Sequence, residues 1–450
     1  MGLRAALSDG SLLRIREFDS ASDLQEVQEL ERRCEAGPNG SISLFADLLG
    51  DPLCRVRHFP VFTMLVAEAK LQIVGMIRAG VKDVVCGKTV YVRKRSSVSK
   101  MEFREEAPIY GRVGYVLGLR VSPSHRRMGI GQKLAEAIES WCKDRGAEYA
   151  YMATENDNDA SVKLFIGKLG YRILRTPTIL VHPVFQHARG IPSHIRLTKL
   201  SVNDSAILYR SVMLTRDFFP KDIDKVLASR LYAGTWIATL KADEPSGLRK
   251  LRGGEGISIR SAYDGNAQRL MDGVFKSWAV LSIWKCDEIF KLQVKGASLI
   301  VRSLAAMSRY MDRTLPWFEI PSFPNIFNSF GMQFLFGLHA EGDKSHELIT
   351  ALFWHAHNLA QQQKSQVIMS ELGPSDPLIK TIPHWKVFSS ADDLWCIKHL
   401  LDPPIKDAAS LSTVSAAANS TSETVVDRVE HIEWSDSSPD STIFVDPRDV

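Results

Sequence analysis

Two arginines and two glycines at close spacing, Arg126-Arg127-Met128-Gly129-Ile130-Gly131, stand between an apolar run, Val113 to Val121, and a helix-patterned stretch, Gln132 to Arg145. A strand, a Gly-spaced turn and a helix in that order form a device for holding a diphosphate. Glycines let the backbone approach a ligand closely. The first amides of a helix lack intrahelical partners and point outward at an anion, and the helix dipole adds to the attraction. Two common phosphate loops are excluded. A P-loop needs Lys-Ser or Lys-Thr after its second Gly, and Gln132-Lys133 follows Gly131 here. A dinucleotide fingerprint needs a third Gly and an early βαβ unit, and neither is present.

The elements that must carry this turn are legible in the hydrophobic pattern. Leu12 to Phe18 alternates as a half-buried strand does, and Asp23 to Glu35 has helical spacing, with Leu24, Val27, Leu30 and Cys34 on one face. Phe62 to Ala67 and Ile73 to Val81 read as a hairpin. Lys82 to Pro108 is polar and basic, a loop or an inserted ribbon. Tyr115 to Val121 and Tyr149 to Thr154 are strands, Gln132 to Arg145 and Asp159 to Leu169 helices, and Tyr171 to Leu174 the last strand. This order describes an α/β protein with a mixed (α+β) sheet flanked by helices, not a parallel barrel.

A second motif lies downstream: Asn158-x-x-Ser161-x-x-Leu164-Phe165, then Leu169-Gly170-Tyr171. Together the two motifs resemble the Gcn5-related N-acetyltransferases, over roughly residues 12–186. The stretches 114–134 and 151–165 narrow the resemblance to the plant Hookless family, which the region to about Leu400 also resembles. The resemblance implies an acetyl-CoA-dependent N-acetyltransferase with a protein lysine, on a histone tail, as acceptor. It also implies a place in the nucleus and a role in growth downstream of ethylene, with crosstalk to auxin and light. A small-amine acetyltransferase and a regulator that binds acetyl-CoA without turnover stay open as alternatives.

For the cofactor, the resemblance assigns the diphosphate to the amides of Arg127, Met128, Gly129, Ile130, Gly131 and Gln132, with Arg126 and Arg127 adding charge. It assigns the pantetheine arm to Leu119, Arg120 and Val121, and a thioester-polarising N–H to the neighbourhood of Leu119. Asn158 either bonds the cofactor or caps the Asp159 helix, and Phe165 packs against the pantetheine arm. For proton movement the chain departs from its relatives. Tyr115 stands where many carry Glu, and Phe165 where many carry an acidic Tyr. Tyr115, Glu106, Glu155 and His125 are the candidates to fill in. Each acid has a plainer reading: Glu155 as a loop cap, Glu106 as a solvated loop residue.

Size and composition set the outer limits. With 450 residues, two or three domains are expected. The boundaries fall at 11–187 for the acetyltransferase domain and 191–400 for a degenerate copy. In that copy Gly337-Leu338 echoes Gly118-Leu119. Its turn, Ala340-Glu341-Gly342-Asp343-Lys344-Ser345, has gained acids that repel a diphosphate. Residues 401–450, rich in Ser, Thr, Asp and Ala, read as a disordered tail. A net charge of +4 does not argue for direct nucleic-acid binding, although Arg93-Lys94-Arg95 makes a local basic run that could serve nuclear import. Six scattered cysteines without C-x-x-C spacing fit a reducing compartment, nucleus or cytoplasm, and no metal site. No apolar run is long enough to span a bilayer.

Overall fold

The computed structural model describes residues 3–6, 12–35, 43–95, 102–243, 275–389, 393–401, 425–426 and 442–450. In chain order the first half contains β1 (Leu3–Ala6), β2 (Leu12–Glu17), α1 (Leu24–Glu35), β3 (Ser43–Asp47), β4 (Val61–Ala69), β5 (Gln72–Arg95) and β6 (Glu102–Val121). It continues with α2 (Ile130–Lys143), β7 (Tyr149–Glu155), α3 (Asp159–Phe165), β8 (Arg172–Arg175) and β9 (Thr178–Pro183). The second half begins with β10 (Ile195–Leu200), α4 (Val202–Met213), α5 (Ile223–Leu227), β11 (Tyr232–Leu240), β12 (Trp278–Lys285) and β13 (Lys291–Lys295). Then come α6 (Leu299–Thr314), β14 (Met332–Glu341), α7 (Ser345–Gln362), β15 (Val367–Leu372), β16 (Asp393–His399) and β17 (Val425–Val426).

Two sheets result. The first runs β1-β2-β4-β5-β6-β7-β16-β8, with β17 on β5; the second runs β10-β11-β12-β14-β15-β9. A short ribbon of β3 and β13 ties the halves together. Each sheet is antiparallel except at one place, where a crossover helix forces a parallel pair: β6 with β7 around α2, and β14 with β15 around α7. The two halves therefore repeat one plan, as expected.

The strands do not respect the expected domain boundaries. β16, from the far side of position 190, completes the first sheet, pairing with β7 from Asp393↔Glu155 to His399↔Tyr149. The side chains of this strand alternate between two cores, Leu394 and Cys396 to one, Trp395 and Ile397 to the other. In return β9, within 11–187, closes the second sheet against β15. Each half lends the other a strand, so neither boundary cuts the molecule into self-sufficient pieces. The stretch from Lys82 to Pro108 is the ribbon alternative: β5 and β6 pair out to Arg95↔Glu102. The side chains of the Arg93-Lys94-Arg95 run lie outside those described.

Packing follows the alternation of the strands. On the first sheet Val116, Ala150 and Met152 face α2, through Leu134, Ala135 and Ile138. Tyr115, Leu117, Tyr149 and Tyr151 face the other way, into a core shared with Trp278, Trp284 and Phe334 of the second half. The expectation of a disordered tail fails at the chain's end. Ile443, Phe444 and Val445 are buried in that shared core, and Asp446 and Arg448 are buried beside them. Three consecutive apolar residues supply the burial that the Ser-rich composition upstream cannot. The Ala416–Ser422 and Ser435–Ser441 stretches lie outside the described residues.

Candidate acyl-transfer site

The strands β6 and β7 part company. Their parallel register holds for Val113↔Tyr149, Gly114↔Ala150 and Tyr115↔Tyr151 and stops there, while β6 continues to Val121 and β7 to Glu155. Past Tyr115 one edge of β6 is thus open, with its main-chain groups available for an added strand. A bulge starts the divergence. The register with β5 slips between Met76 and Arg78, and Gly118 adopts φ +64°. A Cβ at Gly118 would meet Arg78 Nη1 at 2.5 Å. The buried Arg78 guanidinium lies under the bulge, donating to the Pro52 carbonyl at 2.5 Å and to the Glu31 carboxylate of α1.

At the mouth of the gap lies the Gly-spaced turn. Arg127 (φ +62°) and Gly129 (φ +81°) are left-handed, and nothing lies within 4 Å of a Cβ built on Gly129. Among the described residues no acceptor lies on the backbone N–H groups of Arg127 through Gln132; the first amide of the ladder to be used is that of Lys133, to the Gly129 carbonyl at 3.1 Å. No acid sits in the first turn of α2. Arg126 and Arg127 are exposed, and Arg126 Nε reaches the Val121 carbonyl at 3.4 Å. Leu119, Val121 and Met128 are partly buried against the α2 core, and the Ile130 side chain is fully inside it, leaving only its amide for a ligand. Arg120 is half-buried and donates to the Leu119 carbonyl at 3.1 Å. Free amides, a helix N-terminus and an open strand edge together suit a diphosphate followed by an extended pantetheine arm, so the residues present fit an acyl-CoA.

The remaining sequence candidates scatter. Asn158 caps α3, accepting from the Ser161 amide at 3.3 Å. Phe165 is 2% exposed and sealed edge-to-face against Tyr171. His125 takes part in a local bond with Ser124 Oγ at 2.9 Å. The Glu106 side chain lies outside those described. Glu155 is exposed at the end of β7, opposite Asp393. Tyr115 alone stands at the vertex, stacked on Tyr151 at 4.8 Å. Burial keeps its hydroxyl protonated, far above the ordinary tyrosine range, so it can donate but not serve as a base.

Four ionisable groups near that vertex were not among the candidates. Asp449 accepts from Tyr151 Oη at 2.9 Å and from Lys82 Nζ at 2.6 Å, and its main-chain carbonyl accepts from Tyr115 Oη at 2.9 Å. Asp393 is pushed up to about 6 by burial and then by Glu155. Glu371 is pushed up to about 8 by burial and then by Asp393, while Trp395 Nε1 donates to it at 2.8 Å. The apolar triplet before Asp446 was the one signal that could have drawn attention to the tail. Nothing local marks the others, because three distant segments bring them together. Among the described residues no group of His, Cys, Asp and Glu could hold a metal ion, and no helix is long and apolar enough to cross a membrane.

Comparison with known proteins agrees with this geometry. Residues 24–171 match the Acetyltransferase (GNAT) family. The chain is 44% identical over 447 residues to the probable N-acetyltransferase HLS1-like of Arabidopsis thaliana, covering 97% of this chain and 99% of that one. It is 43% identical over 438 residues to the probable N-acetyltransferase HLS1 of the same plant, with the same coverage. To the acetyl transferase GW6a of Oryza sativa subsp. japonica it is 35% identical, across 88% of this chain and 93% of that one. A GNAT turn with free amides, a parted strand pair and near full-length relatives lead to one conclusion: the chain belongs to the GNAT N-acetyltransferase family, in its Hookless-type branch, and is an acyltransferase that uses an acyl-CoA.

Proposed function

We propose that the chain moves an acetyl group from acetyl-CoA to the side-chain amine of a protein lysine, on a basic tail of the histone type, in the nucleus. The observation that carries this reading is the pairing of a free-amide turn on one side of the gap with carboxyl groups on the other. Tyr151, Glu155, Asp393 and Trp395 lie on strands facing the second half, and Glu371 approaches Trp395 from β15. A lysine amine is charged at neutral pH, with an unperturbed pKa of about 10.4. The exposed Glu155 carboxylate, opposite Asp393, attracts it and disfavours acidic acceptors. The nuclear and growth-regulating part rests on the Hookless resemblance and on the Arg93-Lys94-Arg95 run.

Acetyl-CoA supplies an acyl group already activated as a thioester. The chain does the holding and orienting. The amides of residues 127–132 neutralise diphosphate charge, with Arg126 and Arg127 beside them. The open edge of β6 aligns the arm, and a main-chain N–H near Leu119 is available to the developing oxyanion. Phe165 and its neighbours in the α2 core exclude water beneath.

A second reading, transfer to a small amine, is favoured by one feature. A cleft of about 290 Å³ lies beside Phe59, which stacks on Tyr115, and is walled by His58, Asp222, Trp284 and Arg448. An acceptor screen decides. Purified protein with labelled acetyl-CoA is offered histone-tail peptides, polyamines and arylamines. Label on the peptides supports the proposal; label on small amines alone replaces it with the second reading. Tight cofactor binding without transfer to any amine would leave only a regulatory role.

A further inference from the structure

The last nine residues of the chain are anchored at the vertex of the first gap. Phe444 N–H donates to the Asp217 carbonyl at 2.8 Å, and Asp217 N–H to that of Thr442 at 3.2 Å. Ile443, Phe444 and Val445 pack into the shared core. A short turn follows, Pro447 to Asp449, capped by Asp446, whose Oδ1 accepts from the Arg448 amide at 3.0 Å. Arg448 grips Asp222, at the start of α5, through two bonds of 2.9 Å and Asp446 through another of 2.7 Å. Lys82 of β5, fully buried, is held between Asp446 at 3.0 Å and Asp449 at 2.6 Å. Tyr115 and Tyr151 close the group from above.

Burying ions costs several kcal/mol each unless every one is paired. The cluster bears that cost at the one point where β6 and β7 separate, where the acyl carbon and the attacking amine have to meet. It also places an ionisable acid beside Tyr115, the sequence candidate that stands at the vertex.

We propose that Asp449 is a positioning residue for acyl transfer, brought to the vertex by the C-terminus, where it orients the Tyr115 and Tyr151 hydroxyls and receives through Tyr151 a proton lost by the acceptor amine. The inference rests on the acetyl-transfer reading above. The ammonium gives one proton to the Tyr151 oxygen as that hydroxyl passes its own to Asp449 Oδ2. The freed nitrogen lone pair forms the N–C bond, and the C–S bond breaks with its electron pair on sulfur. The second nitrogen proton goes to the thiolate. Amide and thiol leave, and Asp449 releases its proton to solvent.

The electrostatics suit a carboxyl that cycles. Asp449 faces Lys82 from β5, Tyr115 from β6, Tyr151 from β7, Glu371 from β15, and Asp446 of its own segment. Burial pushes it up to about 6 against the opposing pull of Lys82.

The test compares full-length wild type with Asp449→Asn, Asp449→Glu and Tyr151→Phe, measuring acetyl-CoA affinity, kcat and KM across pH, and thermal melting. Asp449→Asn keeps the shape and the acceptor oxygen. It is expected to melt below wild type, since Lys82 keeps only Asp446, but to fold and bind acetyl-CoA as wild type does, to lose kcat roughly 100-fold, and to lose the acid limb of the rate profile near pH 6. Asp449→Glu should recover part of the rate. Wild-type kcat and an unchanged acid limb in Asp449→Asn would overturn the inference. If that variant does not fold, Tyr151→Phe carries the same expectation, and full activity there overturns it equally. Wild type that transfers to no amine brings down the acetyl-transfer reading and this inference with it; an active wild type with an indifferent Asp449→Asn brings down this inference alone.

Discussion

The molecule contains the same bend twice, and only one copy can hold an anion. In the first half β6 and β7 separate after Tyr115 and Tyr151; in the second, β14 and β15 separate after Leu335 and Ser370. Gly118 at φ +64° has its counterpart in Gly337 at φ +63°, and both sit at a slip of register with the neighbouring strand. The turns then differ. Gly129 faces open space, whereas a Cβ on Gly342 would lie 2.0 Å from the Lys276 carbonyl oxygen. The amides of the second turn are occupied: Lys344 N–H donates to Ser277 Oγ at 3.1 Å and Ser345 N–H to the Gly342 carbonyl at 3.0 Å. Glu341 accepts from Trp278 Nε1 at 3.2 Å, and Glu347 sits in the first turn of α7. Under the bulge, Tyr209 takes the place that Arg78 takes in the first half. The bend therefore belongs to the sheet architecture and persists in both halves; the anion site belongs to unoccupied amides and has been filled in the second.

Gly129→Glu tests this contrast most severely. It adds charge and bulk where nothing but ligand should be, so acetyl-CoA affinity should fall more than about 100-fold by calorimetry, a far larger effect than the modest drop in melting that a side chain at φ +81° brings. Unaltered affinity would mean that the turn is not the phosphate site.

Acid should weaken the second sheet, where β9 and α7 bring two histidines together. His182 is pushed down to about 3 and His357 to about 4, both by burial among Phe185, Phe353 and Trp354. Their folded values lie below the unfolded one of about 6.5. The stability they contribute is complete above pH 6.5 and is lost as pH falls toward 4, on the order of a few kcal/mol. Melts between pH 7.5 and 4.5, followed by Trp354 fluorescence, should show the loss, and His182→Phe should blunt it.

Gly342→Ala reverses the logic of the first test. The left-handed φ of +85° and the backbone oxygen against it should cost about 1–3 kcal/mol of stability. Acetyl-CoA affinity should not change, and any large drop would make the second turn a cofactor site after all.

The smallest effect is set at the seam between the halves. Glu371, with a folded value of about 8, is held protonated. Its contribution is complete below its unfolded value of about 4.5 and is lost as pH rises through 8. Glu371→Gln should make melting less sensitive to pH between 6 and 9; an unchanged slope would deny that this carboxyl is kept neutral.

What could be read from sequence was local. The Gly-spaced turn was legible because its ligands are main-chain amides, whose presence follows from Gly129, Gly131 and the start of a helix. The buried face of α1, with Val27 and Leu30, was legible for the same reason. The echo of Gly118 in Gly337 was visible because a bulge keeps its glycine after the ligand is gone. Pairings across the halves left no such trace. Asp393 to His399 carries an ordinary strand pattern, and nothing in it says that its partners are Tyr149 to Glu155. Asp449 was hidden by composition, since nine described residues with their own apolar triplet were averaged with a Ser-rich stretch before them.

The exchange of strands has a consequence for how the protein is made. A ribosome finishes β7 roughly 240 residues before it begins β16, and the segment with Asp449 that meets Tyr115 comes later still. At typical elongation rates the nascent first sheet waits about 12–50 s with β7 unpaired on one side. A stop codon falling between β16 and Asp449 would therefore yield a protein whose cofactor turn is intact and whose vertex is empty.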